Sequence, residues 1–119
     1  MQSYRDLTVW QRSIQLVTAI YQLTDKFPKS EMFGLVSQMR RAAVSIAANL
    51  AEGYARKHRA EYIQFVRISY GSGAELETHL TVAENLRFAT GKETRKSKEL
   101  LDETMRMLNK LLTALTAKP

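Results

Sequence analysis

Residues 36–53 read VSQMRRAAVSIAANLAEG, with Val36, Met39, Ala43, Ile46, Leu50 and Gly53 at successive gaps of 3, 4, 3, 4 and 3. That spacing gathers all six on one face of an α-helix and scatters them over both faces of a strand. The helix is expected from about Phe33 to Arg56. Its surface is small: Ala42, Ala43, Ala47, Ala48 and Ala51 let a neighbouring helix approach closely, because short side chains set the interaxial distance.

Working outward, the same 3,4 alternation recurs three times. Upstream, Leu7, Trp10, Ile14, Val17, Tyr21 and Thr24 form a stripe that Ile20, Leu23 and Phe27 widen, predicting a helix over 7–27. Asp6 or Thr8 is the expected cap, and Pro28 the stop, since proline disfavours helical geometry at the residue before it. Downstream, Tyr62, Phe65, Leu76, Ala83 and Leu86, with Ser69, Ser72 and His79 in the same stripe, predict a helix over 59–89. Gly71 and Gly73 interrupt its propensity at about 1 kcal/mol each, but the period survives on both sides. The helix is therefore read as continuous, with these glycines facing the alanine-rich second helix and Thr90-Gly91 ending it. Finally, Leu101, Met105, Leu108, Leu112 and Leu115, broadened by Leu100, Met107 and Leu111, predict a helix over 93–117. Four long helices with short connections imply an all-α, antiparallel up-down-up-down four-helix bundle in one domain spanning 1–119. Strand alternation, repeats and low-complexity segments are absent.

The composition narrows the class further. At 119 residues the chain can bury roughly two-thirds of the surface its unfolded form exposes, enough for a core without staples. No cysteine is present, which excludes disulfide scaffolds, iron–sulfur clusters and thiol catalysis and fits a reducing compartment. The start, MQSYRDLTVW, carries charge where a signal peptide would be apolar, and no run suits a membrane span. A cytoplasmic location without membrane association is the expectation.

Eighteen Lys and Arg against twelve Asp and Glu leave a formal charge of +6, and the isoelectric point is near 9.8. Two clusters concentrate it: Arg56-Lys57-His58-Arg59 between the second and third helices, and Lys92, Arg95, Lys96 and Lys98 at the start of the fourth. In an antiparallel bundle they lie at opposite ends. Such clusters suit phosphates, whose neutralisation releases condensed counterions. Cations at a helix start also oppose the helix dipole, a local cost that hints at a use other than folding.

Polar residues border the apolar stripes of the second and third helices: Arg40, Arg41, Asn49, Glu52, Glu61, Tyr62, Ser72 and Glu75. The residue types suit a hydrogen-bonded network, with Arg41, Asn49, Glu52 and Glu75 at its centre, that sets helix register or a subunit contact. Metal spacing fails. A di-iron bundle wants Glu-x-x-His from two helices, whereas Glu75 and His79 are four apart and His58 has no such partner. Hydrolase, P-loop and dinucleotide motifs are missing, so no catalytic residue, metal or cofactor is expected.

The run Gln38-Met39-Arg40-Arg41-Ala42-Ala43-Val44-Ser45-Ile46-Ala47-Ala48-Asn49-Leu50-Ala51-Glu52-Gly53 resembles the signature of the four-helix-bundle proteins associated with 23S rRNA intervening sequences. Leu7-Thr8-Val9-Trp10-Gln11, Phe27-Pro28 with Glu31-Met32-Phe33-Gly34-Leu35, and Glu61-Tyr62-Ile63-Gln64-Phe65 with Gly71-Ser72 and Glu75-Leu76-Glu77 agree with it in order and separation. The resemblance covers roughly Tyr4 to Leu112. It implies a cytosolic helical bundle that assembles into a ring, typically a pentamer. Related accessory subunits of diversity-generating retroelements bind nucleic acid through basic surfaces and partner a reverse transcriptase. The positions matching the family's polar residues are Arg40, Arg41, Asn49, Glu52, Arg56, Glu61, Tyr62, Ser72 and Glu75. Asn85-Leu86-Arg87-Phe88 departs from the more apolar, glycine-containing helix end usual there.

The functional expectation is a non-catalytic, oligomeric nucleic-acid-binding protein, for RNA first. Phosphate contacts are expected from Arg40, Arg41, Arg56, Lys57, Arg59, Lys92, Arg95, Lys96 and Lys98. Asn49, Glu52, Glu61, Tyr62, Ser72 and Glu75 are expected as structural polar residues. The alternative is a protein-binding adaptor, for example of a reverse transcriptase, that touches no nucleic acid. Large residues near helix ends, Trp10, Phe33 and Tyr54, are expected to include a subunit contact.

Overall fold

Four α-helices, α1 (Thr8–Thr24), α2 (Leu35–Ala55), α3 (Arg59–Asn85) and α4 (Gly91–Thr116), make up the architecture, with short 3-10 turns at Tyr4–Asp6 and Lys29–Glu31. The computed structural model describes residues 3–117. Each helix packs on its neighbours in sequence, α4 closes against α1, and the diagonal pairs stay apart. Rods of this length joined by such short loops can only reverse at each loop, so the helices run up, down, up and down in a body of 49 × 21 × 20 Å. One end of the bundle, the α4-start end, holds the end of α1 and the starts of α2 and α4; the other holds the α2–α3 loop.

All six residues of the 36–53 stripe are buried, Met39, Ala43, Ile46 and Leu50 completely. They meet Leu16 and Ile20 of α1, Val66, Leu76 and Leu80 of α3, and Leu101 and Leu108 of α4 in one core. Buried hydroxyls are satisfied by carbonyls: Ser69 Oγ donates across the α2–α3 seam to Ile46 O at 2.9 Å, and Thr24 Oγ1 to Ile20 O at 2.7 Å. Such bonds remove the penalty of burying a polar group.

Two stripes are rotated from expectation. On α1 the core takes Val9, Ser13, Leu16, Ile20 and Leu23, while Ile14 and Tyr21 are 40% and 44% exposed. Of the expected stripe, Trp10, Ile14 and Val17 line an outer groove against α2, whereas Thr24 and the widening residues Ile20, Leu23 and Phe27 are buried. On α3 the core takes Val66, Ser69, Gly73, Leu76, Leu80 and Ala83, leaving Leu86 exposed. On α1 the small hydroxyl residue Ser13 completes the buried stripe and disguises it, while on α3 the expected members Ser69, Leu76 and Ala83 are all buried.

The boundaries differ for local reasons. Neither Asp6 nor Thr8 caps α1; its N-cap is Leu7, and Asp6 instead joins Ser3 in a capping box on the preceding turn. The helix stops at Thr24 because Asp25–Phe27 tighten into a turn, closed by Phe27 N–H to Thr24 O at 3.0 Å, with the Phe27 ring against Phe88. Phe33 stays outside α2, which begins after Gly34. The third helix ends at Asn85, four residues early. Arg87 adopts φ 62, its N–H reaches Glu84 O, and Phe88 N–H returns to Ala83 O, a Schellman closure with arginine where glycine is usual. Thr90 consequently does not end α3. It starts α4, in a capping box with Glu93.

The glycine expectation is corrected as well. Gly73 faces Met105 of α4 and Gly71 faces open space, neither meeting α2. The close approach of α2 to α3 is made at Gly53, where Phe65 and Tyr62 press against the bare backbone.

Candidate nucleic-acid interface

The two basic clusters sit at opposite ends of the bundle, and their charges are differently committed. At the α2–α3 loop, Arg56 donates to Glu52 at 2.8 Å and lies 3.5 Å from Glu61, with its guanidinium 5.2 Å from the centre of the Phe65 ring. The bond to Glu52 holds its proton more firmly than usual. Arg59 turns to α4, donating its Nε to Leu115 O at 2.8 Å and an Nη to Ala117 O at 3.3 Å. It thereby satisfies carbonyls left unpaired at the helix end and complements the negative dipole there. Lys57, at φ 55, and His58 rim a pocket of about 410 Å³ floored by Gly53, Tyr54, Tyr62 and Leu115. The Tyr62 hydroxyl is buried without a hydrogen-bond partner among the described residues, and burial pushes its phenol up.

At the α4 end one cation of the four is paired. Lys98 pairs with Glu84 at 2.6 Å, and Glu84 also accepts from Thr94 Oγ1 at 2.9 Å; the Lys98 bond is the main cause of a carboxyl held below the usual range. The Glu93 carboxylate is taken up by capping, accepting from Thr90 N–H at 2.8 Å, and that bond holds it low as well. Lys92, Arg95 and Lys96 have no ion-pair partner among the described residues. Lys26, in the turn that follows α1, joins them across a cleft of about 340 Å³ lined also by Ala19, Gln22, Leu23, Glu93, Lys96 and Ser97. Sequence reading missed Lys26, although up-down topology brings the end of α1 beside the start of α4.

Arg40 serves the fold: its Nε donates to Thr24 Oγ1 at 3.0 Å, and its guanidinium stacks 4.4 Å from the Tyr21 ring centre, clamping α2 to α1. Arg41 beside it is exposed. The polar residues of α2 and α3 fall into separate groups. Asn49 donates to Ser45, whose hydroxyl meets Ser72 at 2.9 Å; Glu52, Arg56 and Glu61 form the loop cluster; Glu75 approaches His79 at 3.9 Å. Arg41, Asn49, Glu52 and Glu75 are not joined in one network.

This bundle is similar to known proteins. A crystal structure of an S23 ribosomal protein family member of unknown function from Bacteroides thetaiotaomicron VPI-5482 superposes with a TM-score of 0.79 at 20% identity, over 88% of this chain and 98% of that one. No curated protein matches the chain. Neither the family description nor the solved structure names an enzymatic activity. The family model of the 23S rRNA-intervening sequence protein matches residues 5–110, nearly all of the bundle, and the chain belongs to that family.

Proposed function

We propose that this protein binds nucleic acid, RNA in the first instance, without catalysing a reaction, and that it does so as an oligomer in the cytoplasm. The observation that carries the reading is the uncompensated charge of Lys92, Arg95 and Lys96 on the opening turns of α4, with Lys26 across the cleft. Lys92 opposes the positive end of the helix dipole, Arg95 and Lys96 follow it on the next turn, and the carboxylates of Glu84 and Glu93 are taken up by Lys98 and by the capping box. Polyanion contact is the use that offsets this cost. The family's name, which refers to 23S rRNA, favours RNA. Arg56, Arg59 and Arg40 have structural duties, so the phosphate contacts belong mainly to the α4 end.

Assembly rests on apolar surface. Phe33 is 96% exposed, and Ile14, Tyr21 and Val44 stand out around the α1–α2 groove, which Trp10 and three alanines complete. Burying such surface between copies multiplies weak phosphate contacts into avidity, and a pentameric ring is the proposed form. Trp10 and Phe33 are the proposed contact residues.

The test is fluorescence anisotropy with a structured RNA, titrated from about 50 to 300 mM salt. Affinity should fall steeply, and reversing Lys92, Arg95 and Lys96 to Glu should reduce the slope of log K against log salt by about 2 to 3. A loss that instead follows Arg41 and Lys57 moves the interface elsewhere. No binding at low salt sinks the RNA reading and leaves the α1–α2 groove as a protein-docking face. A strictly monomeric mass at micromolar concentration refutes the assembly.

A further inference from the structure

The cleft between α1 and α4 holds more than lysines. The section with Lys26 and Lys96 continues into one of about 260 Å³, which shares Ala19, Gln22 and Lys96 and runs on past Ile14, Gln15, Thr18 and Leu100. From Ile14 it follows α1 for about 15 Å to the helix end at Thr24 and reaches Lys26 in the turn beyond. Its wall is chemically unusual for an exposed helix. Between Thr8 and Thr24 the only charged residue is Arg12, and that guanidinium is bound to Glu103 of α4 at 2.7 Å. The cleft is therefore walled by neutral carboxamides and floored by Ala19, Leu23 and Leu100, and at one end Lys26 and Lys96 stand beside the single carboxylate of Glu93, which the Thr90 cap already engages.

We infer that this cleft takes the unpaired bases of a single RNA strand whose phosphates lie on Lys26 and Lys96, an inference that rests on the proposed nucleic-acid binding. A carboxamide carries a donor and an acceptor side by side and matches the polar edge of a base. The apolar floor suits a base face. Gln15 and Gln22 form no hydrogen bond among the described residues, so both are available. A duplex cannot use the cleft, because its bases are paired and an A-form helix offers chiefly phosphates and 2′-hydroxyls to a protein.

Two RNA probes of equal phosphate number, an unstructured strand and a hairpin duplex, separate this inference from the one beneath it. At matched salt the intact protein should bind the single strand about tenfold more tightly. Gln15→Ala with Gln22→Ala should remove that preference while leaving duplex affinity, salt slope and the thermal melt unchanged, since both side chains are exposed. Equal affinity for the two probes, or a double variant that keeps the preference, overturns the cleft assignment and leaves the phosphate contacts standing. Failure to bind either probe at low salt overturns both.

Discussion

Alanine at Gly53 and alanine at Gly71 should move stability in opposite directions. Both glycines lie within helices and neither has a positive φ, so propensity alone predicts a gain of about 1 kcal/mol at each. At Gly71 nothing stands within 4 Å of the added Cβ, so the gain is realised, about 4 °C in Tm for a chain of this size. At Gly53 the new Cβ would sit 2.6 Å from Phe65 Cβ and 3.2 Å from Tyr62 Cδ1. Phe65 Cβ is bonded to the α3 backbone and cannot rotate away, so relief requires α2 and α3 to part by about 1 Å. Overpacking of this kind costs about 1–3 kcal/mol; subtracting the propensity gain leaves a net loss of up to about 2 kcal/mol. Urea denaturation reads both effects as shifts of the midpoint at constant m. A Gly53→Ala protein that gains the full propensity increment of about 1 kcal/mol would refute the close α2–α3 approach, and a destabilised Gly71→Ala protein would refute the open face of α3.

Other substitutions probe the ends of the helices and the ion pairs. Thr90→Ala removes the capping box of α4 and should cost about 1 kcal/mol in denaturant titration, with hydrogen exchange rising first over residues 91–94. Arg59→Ala frees the carbonyls of Leu115 and Ala117 and should cost about 1 kcal/mol, while leaving RNA affinity within about twofold because the proposed phosphate contacts lie at the other end. Glu84 carries the pH prediction. Its carboxyl titrates lower folded than unfolded, so the charge stabilises the protein fully above the usual carboxylate range and loses that effect as pH falls through it. Glu84→Gln should therefore destabilise the protein at neutral pH and flatten its stability loss between about pH 5 and 3; an unchanged acid limb would contradict the Lys98–Glu84 bond.

What the sequence disclosed, and what it hid, follows from the kind of signal each residue gives. The stripe at 36–53 was legible because every member is apolar or glycine and all of it is buried. The end of α3 was not, because Arg87 carries the left-handed turn that glycine normally announces, and the closing Phe88 reads as one more helical apolar residue. The basic clusters were legible as charge but not as available charge: Arg59 looks like Lys92 in a sequence, yet a helix end brought from 56 residues away occupies it. Lys26 was hidden for the complementary reason, since only the fold sets it beside Lys96.

The first helix shows most clearly where periodicity runs out. Its two apolar stripes are offset by one residue, about 100° around the axis, and both obey the 3,4 alternation. Hydrophobicity favours Trp10, Ile14, Val17 and Tyr21; the core chose Val9, Ser13, Leu16 and Ile20. The decision lies in Ser13, whose hydroxyl donates to Trp10 O at 2.7 Å within its own helix and so enters the core without an unpaired group. The stripe left outside is more aromatic than the one inside. Trp10 and Val17 still pack against the edge of the core, while Ile14 stays exposed, and the groove these residues form with Val44, Ala47, Ala48 and Ala51 is the surface that the proposed assembly would bury.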